Sequence, residues 1–305
     1  GKVVRLGFGS FLDKWLLPLS GFLYFLRRSM ECSSAVIWGI DISQGSIAAA
    51  LIKLFFPRNR FILTIQYGYG EKRLKRGRLG IIGLAFRFML SQADYVTAIS
   101  YHLLDLARAY GYKGEASMVP NGAPHPSKIG SVLPARKSSK GEGKTIITTS
   151  RLVYKNGIDV LIRAAAELKK RQASSVRCQV LIAGGGPEER KLKKLAEDLG
   201  VDEEVVFLGY VEPDKVPEYL TEADIFVRPS RSEGLGNSFL EAMAVGLPVI
   251  GTPVGGIPDF LKDEETGLFS RVDDPEDLAE KIAKLFHDRN LYERLSLNGK
   301  RLVSD

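Results

Sequence analysis

Cysteine is nearly missing from this chain. Its 305 residues contain only Cys32 and Cys178, without CxxC or Cys/His spacing. That excludes a disulfide framework and a structural zinc site, fits a reducing compartment, and leaves each thiol to be read as a small buried apolar group. Histidine is almost as scarce: His102, His125 and His287 are scattered, with no carboxylate or cysteine at ligand or triad spacing. HExxH, GxSxG and D-x-D are all absent, so neither a zinc hydrolase nor a serine hydrolase is indicated and metal-independent chemistry is expected. A long apolar run is lacking too. The most apolar stretch, LLPLSGFLYFL at 16–26, has about half of the roughly 20 residues needed to cross a bilayer, and Arg27 and Arg28 close it. Asp13 precedes that run and no small-residue cleavage site follows, so it does not read as a signal peptide, and a cytoplasmic location is expected. The chain opens at Gly1 without Met and is read as a fragment.

What is present is the composition of a folded protein, 45% hydrophobic and 26% charged. The length exceeds one ordinary core and suits two α/β domains. The net charge of +7 is uneven: residues 1–130 hold 17 Lys/Arg against 7 Asp/Glu, and the rest hold 26 against 29. A basic first half points to an anionic partner, a membrane surface or nucleic acid.

From Ala35 the chain alternates short apolar or β-branched runs (AVIWGI, RFILTI, DYVTAI, ASMVP) with helical patterns (SIAAALIKLFF, LGIIGLAFRFML, LLDLARAYG). Repeated βα of this kind predicts a parallel sheet with helices on both faces. Residues 124–143, rich in Gly, Pro, Ser and Lys, read as a linker. A second series follows: TIITTS, a helix over 157–171, CQVLIAG, EERKLKKLAEDLG, VVFLG, DKVPEYLTEA, IFVRPS, NSFLEAMAVG, PVIGT and PEDLAEKIAKLFHD. The predicted organisation is therefore a first Rossmann-like domain over 1–123, the linker, and a second over 144–305. Open α/β sheets bind ligands beyond the carboxyl ends of their strands, so the site is expected in the cleft between the two.

The most informative stretch is RPSRSEGLGNSFLEAMAVGLPVIGTPVGGIP at 228–258. A strand runs into a loop, Glu233-Gly234-Leu235-Gly236, and then into a helix opening near Asn237. Glycines let a backbone approach a ligand closely, and a helix start offers unpaired N–H groups at its positive dipole end, a cradle suited to a diphosphate. Glu241 lies about one turn into the helix, so the two carboxylates can accept hydrogen bonds from ligand hydroxyls at different heights. Taken singly, each glutamate reads first as a solvated side chain. Gly143-Lys144-Thr145 imitates the end of a P-loop, but Ser138 stands where the first glycine belongs and a strand follows.

The Glu-x7-Glu pair within strand, glycine loop and helix, followed by GLPVIGTPVGGIPD, resembles glycosyltransferase family 4, the retaining group 1 type enzymes of GT-B fold. So do TSRLVYKNGIDVLIRA, VLIAGGGPEERKLKKLA, VVFLGYV and TGLFSRVDDPEDLAEKI, so the likeness is strong over 145–290 and weaker over 35–123. The resemblance implies an α/β protein of two Rossmann-like domains facing across a cleft, lacking the first part of its first domain and its last helices. It implies a nucleoside-diphosphate sugar donor, UDP- or GDP-linked, and no cofactor. Glu233 would lie near the hexose hydroxyls and Glu241 would hold the ribose, while the backbone of Gly234, Leu235, Gly236 and Asn237 would meet diphosphate or hexose. Arg151 would pair with the diphosphate, a task its guanidinium suits. Where the family usually carries a lysine this chain has Asn156, with Lys155 beside it as a substitute cation. Gly185 and Gly186 would bound the nucleotide pocket, and Tyr210 and Val211 would meet the base. Gln66 stands where the family commonly has histidine; it can hydrogen-bond but cannot carry a proton, so a route through a histidine base is not available.

The implied activity is transfer of a hexosyl group to an acceptor hydroxyl of a glycan, lipid-linked sugar or polysaccharide precursor, with retention at the anomeric carbon. A sugar-nucleotide epimerase of the same fold and a truncated, non-catalytic sugar-nucleotide binder are the alternatives. The basic cluster EKRLKRGR at 71–78 and the apolar helix after it could dock residues 71–90 on anionic lipid at the inner face of the membrane. They read as well as a solvated loop and a core helix. No nucleic-acid partner is expected.

Overall fold

The computed structural model describes residues 13–28, 34–66, 74, 80–122, 143–171 and 177–304. The chain divides into two compact units, Gly1–Pro120 and Asn121–Asp305.

In the first unit the apolar run at 16–26 lies within a helix, α1 (Asp13–Arg27), followed by β1 (Val36–Ile40), α2 (Gln44–Phe55), β2 (Arg60–Ile65), α3 (Ile81–Gln92), β3 (Tyr95–Ala98), α4 (Tyr101–Ala109) and β4 (Glu115–Met118). The strands form one parallel sheet in chain order, β1-β2-β3-β4. Phe61, Leu63 and Ile65 of β2 and Val96 and Ala98 of β3 are buried at its centre, against Phe86, Met89 and Leu103 from the helices. Asp94 fastens the start of β3: its carboxylate accepts from the Phe61 N–H at 2.7 Å and from Lys53 Nζ at 2.9 Å. Val36, Trp38 and Ile40 of the edge strand β1 are exposed, so among the described residues no helix covers that face of β1.

The second unit runs β5 (Gly143–Thr149), α5 (Ile158–Arg171), β6 (Arg177–Ala183), α6 (Glu189–Asp198), β7 (Val205–Gly209), α7 (Val216–Glu222), β8 (Ile225–Arg228), α8 (Asn237–Ala244), β9 (Val249–Gly251), α9 (Ile257–Phe260), β10 (Leu268–Phe269), α10 (Pro275–His287) and α11 (Arg289–Ser304). Gly143, expected in the linker, heads β5, and the rest of the linker lies outside the described residues. So do Cys32 and the cluster 71–78 except Leu74. Local sequence explains the elements. Ile158, Leu161, Ile162, Ala165 and Leu168 recur at helical spacing and turn one stripe of α5 into the core. Asp274 caps α10 by accepting the Asp277 N–H at 2.9 Å, with Pro275 at the first helical position. The centre of the core is Ile146, Val180, Ile182, Ile225, Val227 and Ile250 from the strands, the near-continuous apolar runs of a parallel sheet covered on both faces. Cys178 is half-buried and packs against this cluster.

All six strands are parallel, in the order β10-β9-β8-β5-β6-β7. Counted from β5 as the first, this is the doubly wound order 3-2-1-4-5-6. The chain leaves β5 toward β6 on one side and returns to β8 on the other, so a crevice opens between the loops that follow β5 and β8.

Candidate active site

At that switch point the two loops are stitched together. The Arg231 N–H donates to the Lys155 carbonyl at 2.7 Å. The Arg231 guanidinium makes a two-pronged pair with Asp159 at 2.8 and 2.7 Å, meets Asp273 at 2.6 Å and lies 4.1 Å over the Tyr154 ring. Gly157 makes the close approach feasible. Its φ is +69°, and a Cβ there would lie 1.8 Å from the Pro229 carbonyl oxygen, so no other residue fits without parting the loops.

A cavity of about 550 Å³ opens beside these loops. Of the expected site residues, Arg151, Gly185, Tyr210, Val211 and Glu241 line it. Arg151 is exposed, with no ion-pair partner among the described residues. Gly184 and Gly185 reach the wall because the chain turns sharply off β6: the Gly184 N–H donates to the Gly209 carbonyl at 2.7 Å, and the Gly185 carbonyl accepts from Leu152. Burial pushes the Glu241 carboxyl above the ordinary glutamate range, against the opposing pull of the Arg228 charge.

Other expected residues stand elsewhere. Glu233 is buried, with one carboxylate oxygen 2.6 Å from Arg228 Nη2 and the other facing the Gly234 N–H at 3.2 Å. Gly234, Leu235 and Gly236 are buried in the loop, and Asn237 is exposed at the first turn of α8. That helix has no side-chain cap, and Gly236 ahead of it takes a φ of +99°. Asn156 is buried behind the cavity wall: its Nδ2 donates to the Arg151 carbonyl at 2.7 Å and its Oδ1 accepts from Arg228 at 3.1 Å. Lys155 is half-buried, and its carbonyl joins the loop contacts. Gly186 lines a separate shallow groove along α6. Gln66 belongs to the first unit, exposed after β2, where its N–H donates to Asp41 at 2.7 Å.

Sequence reasoning missed Thr149, Ser150, Ala183, Val216, Arg228 and Ser238 on the cavity wall. Only Arg228 carried a readable signal. A charged residue closing the buried strand IFVR is anomalous unless something pairs with it. Among the described residues no cluster of three or more His, Cys, Asp or Glu side chains could hold a metal ion, and no helix is long and apolar enough to cross a membrane.

Comparison with known proteins agrees with this architecture. The family described as glycosyl transferases group 1 matches residues 133–302. The GDP-mannose-dependent alpha-(1-6)-phosphatidylinositol monomannoside mannosyltransferase of Mycobacterium tuberculosis is 30% identical over 274 residues, covering 84% of this chain and 70% of that one. The N-acetyl-alpha-D-glucosaminyl L-malate synthase of Bacillus anthracis is 28% identical over 228 residues, 71% of this chain and 56% of its own. Among solved structures, sucrose-phosphate synthase of Thermosynechococcus elongatus superposes with a TM-score of 0.79 at 22% identity, covering 98% of this chain and 77% of that one. HepE of Anabaena, solved with UDP, gives 0.76 at 18% identity over 93% of this chain and 77% of its own. With a family match over more than half its length and a 30% identical relative spanning most of it, the chain belongs to the group 1 glycosyl transferases, enzymes of GT-B fold.

Proposed function

We propose that the chain moves a hexosyl group from a nucleoside-diphosphate sugar to an acceptor hydroxyl, with retention at the anomeric carbon and without a metal ion. The observation that carries this reading is the cavity at the switch point of the second unit, where Arg151, Glu241 and the backbone around Gly185 and Tyr210 meet beside an uncapped helix start. Arg151 offers a two-pronged donor for a diphosphate, and the first-turn N–H groups of α8 add oriented partial charge. Glu241 supplies an acceptor for ribose hydroxyls, and Tyr210 and Val211 a surface for the base. As the glycosidic bond breaks, negative charge grows on the diphosphate, and these fixed donors stabilise it without reorganising. The leaving phosphate oxygen then takes the proton of the acceptor hydroxyl on the same face of the sugar, which is the course that gives retention. That route asks for no proton carrier from the chain, and Gln66, standing where the family commonly has histidine, is not one.

The relatives favour UDP or GDP as the nucleotide, since one is GDP-mannose-dependent and another was solved with UDP. A glycan or lipid-linked acceptor and attachment to the inner face of the membrane are part of the same reading. Ile81 and Leu84 of α3, exposed and a few residues after the basic cluster in the sequence, support it.

The test is calorimetric titration of UDP, GDP and ADP, free and as sugar conjugates, into the wild type and Glu241→Ala. One nucleotide is expected to bind selectively and more weakly to the variant. That donor then goes into an acceptor assay with a chelator present, and NMR reads the product's anomeric configuration. Inversion would rule out the retaining route. Turnover that needs no acceptor would favour an epimerase.

A further inference from the structure

Arg228 closes β8 with its side chain about nine-tenths buried, and its contacts are one-sided. Nη1 donates to Ser238 Oγ at 2.6 Å, while Nη2 donates to Asn156 Oδ1 at 3.1 Å and to Glu233 Oε2 at 2.6 Å. A guanidinium has five N–H donors, so the Nε–H and one Nη1–H are left over. Nε is buried without a hydrogen-bond partner among the described residues, and so is Oγ1 of Thr149, the last residue of β5. Both residues line the 550 Å³ cavity that also holds Arg151. Orphaned buried donors are costly and uncommon, and two on one cavity wall indicate a ligand that supplies acceptors there.

From this geometry we infer that Arg228 is a second anion-binding residue of the cavity, a strand-borne cation for the diphosphate, with Asn156 its positioning residue. The inference rests on the donor reading above and deepens it. Asn156 occupies the place where the family resemblance expects a lysine. Its amide bridges the Arg151 carbonyl to Arg228, so the loop that carries one cation orients the other. Arg228 also grips Glu233, so the same planar group would turn a spare N–H to a phosphate oxygen and fix that carboxylate through Nη2. A lysine could not do both, having a single ammonium centre in place of a fork.

The test compares a nucleoside diphosphate with its parent nucleoside by calorimetry, using the base that the wild type prefers, in Arg228→Met, Asn156→Ala and the double variant Arg228→Met/Asn156→Lys. Arg228→Met is expected to weaken the diphosphate about tenfold or more, as loss of a charge-assisted contact should, and the nucleoside no more than about twofold. Asn156→Ala should weaken the diphosphate selectively but less, and the double variant should regain most of the affinity by restoring a cation at 156. Equal losses for nucleoside and diphosphate, or no rescue in the double variant, would mean that Arg228 only supports the fold. Should Arg228→Met fail to fold, Arg228→Lys takes its place. It keeps the charge but loses the fork, and unchanged diphosphate affinity in it would overturn the role given to the fork. Absence of nucleotide binding by the wild type would count against the donor reading itself, a result distinct from all of these.

Discussion

Truncating Arg231 tests whether the crevice is held open by one side chain. Arg231 sits in the loop after β8, 12% exposed, and spans three segments: α5 through Asp159, the turn at Tyr154, and the segment before α10 through Asp273. The Asp159 pair is two-pronged and its carboxylate is 30% exposed, whereas the Asp273 carboxylate is 51% exposed. Hydrogen bonds to charged groups contribute about 1.5–3 kcal/mol when water is largely excluded. An exposed pair contributes about 0–1 kcal/mol, and a cation over an aromatic ring about 1 kcal/mol. These terms overlap, so Arg231→Ala is expected to cost about 3 kcal/mol, with Asp159→Ala near 2 and Asp273→Ala below 1. Urea unfolding followed by far-UV circular dichroism, with double-mutant cycles of Arg231→Ala against each aspartate, measures the ordering. The coupling to Asp159 should exceed the coupling to Asp273 by about 1 kcal/mol. A loss below about 1 kcal/mol for Arg231→Ala, or equal couplings, would refute the argument that burial and two-pronged geometry decide which pair matters.

Three further outcomes are expected. Gly157→Ala should cost more than about 2 kcal/mol, because it combines left-handed strain with a methyl group set against the Pro229 carbonyl, and it should weaken nucleotide binding as the loops part. Thermal melts and titration of the same variant check both. Burial raises the Glu241 pKa, so its ionised form disfavours folding and stability should fall as pH rises through the window just above the ordinary glutamate value. Glu241→Gln should therefore raise the melting temperature at neutral pH while weakening nucleotide binding, and a variant that loses both stability and binding would contradict this. Asp94 and Asp159 titrate in the opposite sense. Burial alone would raise them, but the Lys53 contact and Phe61 N–H at Asp94, and the Arg231 pair at Asp159, hold both below the ordinary aspartate range. Their contribution is full above that range and is lost as pH falls through the depressed values, so the acid-side loss of urea midpoint should shrink in Asp94→Asn and in Asp159→Asn. An unchanged acid limb in both would be evidence against these pairs.

Much of the molecule was legible in local pattern. Periods of 2 and 3.6 residues locate strands and helices because burying one face of each element is a local demand on neighbouring side chains. The runs RFILTI, TIITTS, VVFLG and PEDLAEKIAKLFHD accordingly lie in β2, β5, β7 and α10, apart from the end residues Ser150 and Asp288. The glycine loop between two glutamates was visible for the same reason, since a helix start after a strand has a chemistry that can be read over a few residues. Strand order was not. It depends on crossovers that bring β8 beside β5, 72 residues separating Asn156 from the Arg228 it meets. Residue identity at 156 and 228 marked one as a missing cation and the other as part of a strand, and it did not tell that they touch. That contact exists because two loops leave adjacent strand ends at the switch point, where packing of the whole second unit, rather than any local preference, sets which polar groups share a wall.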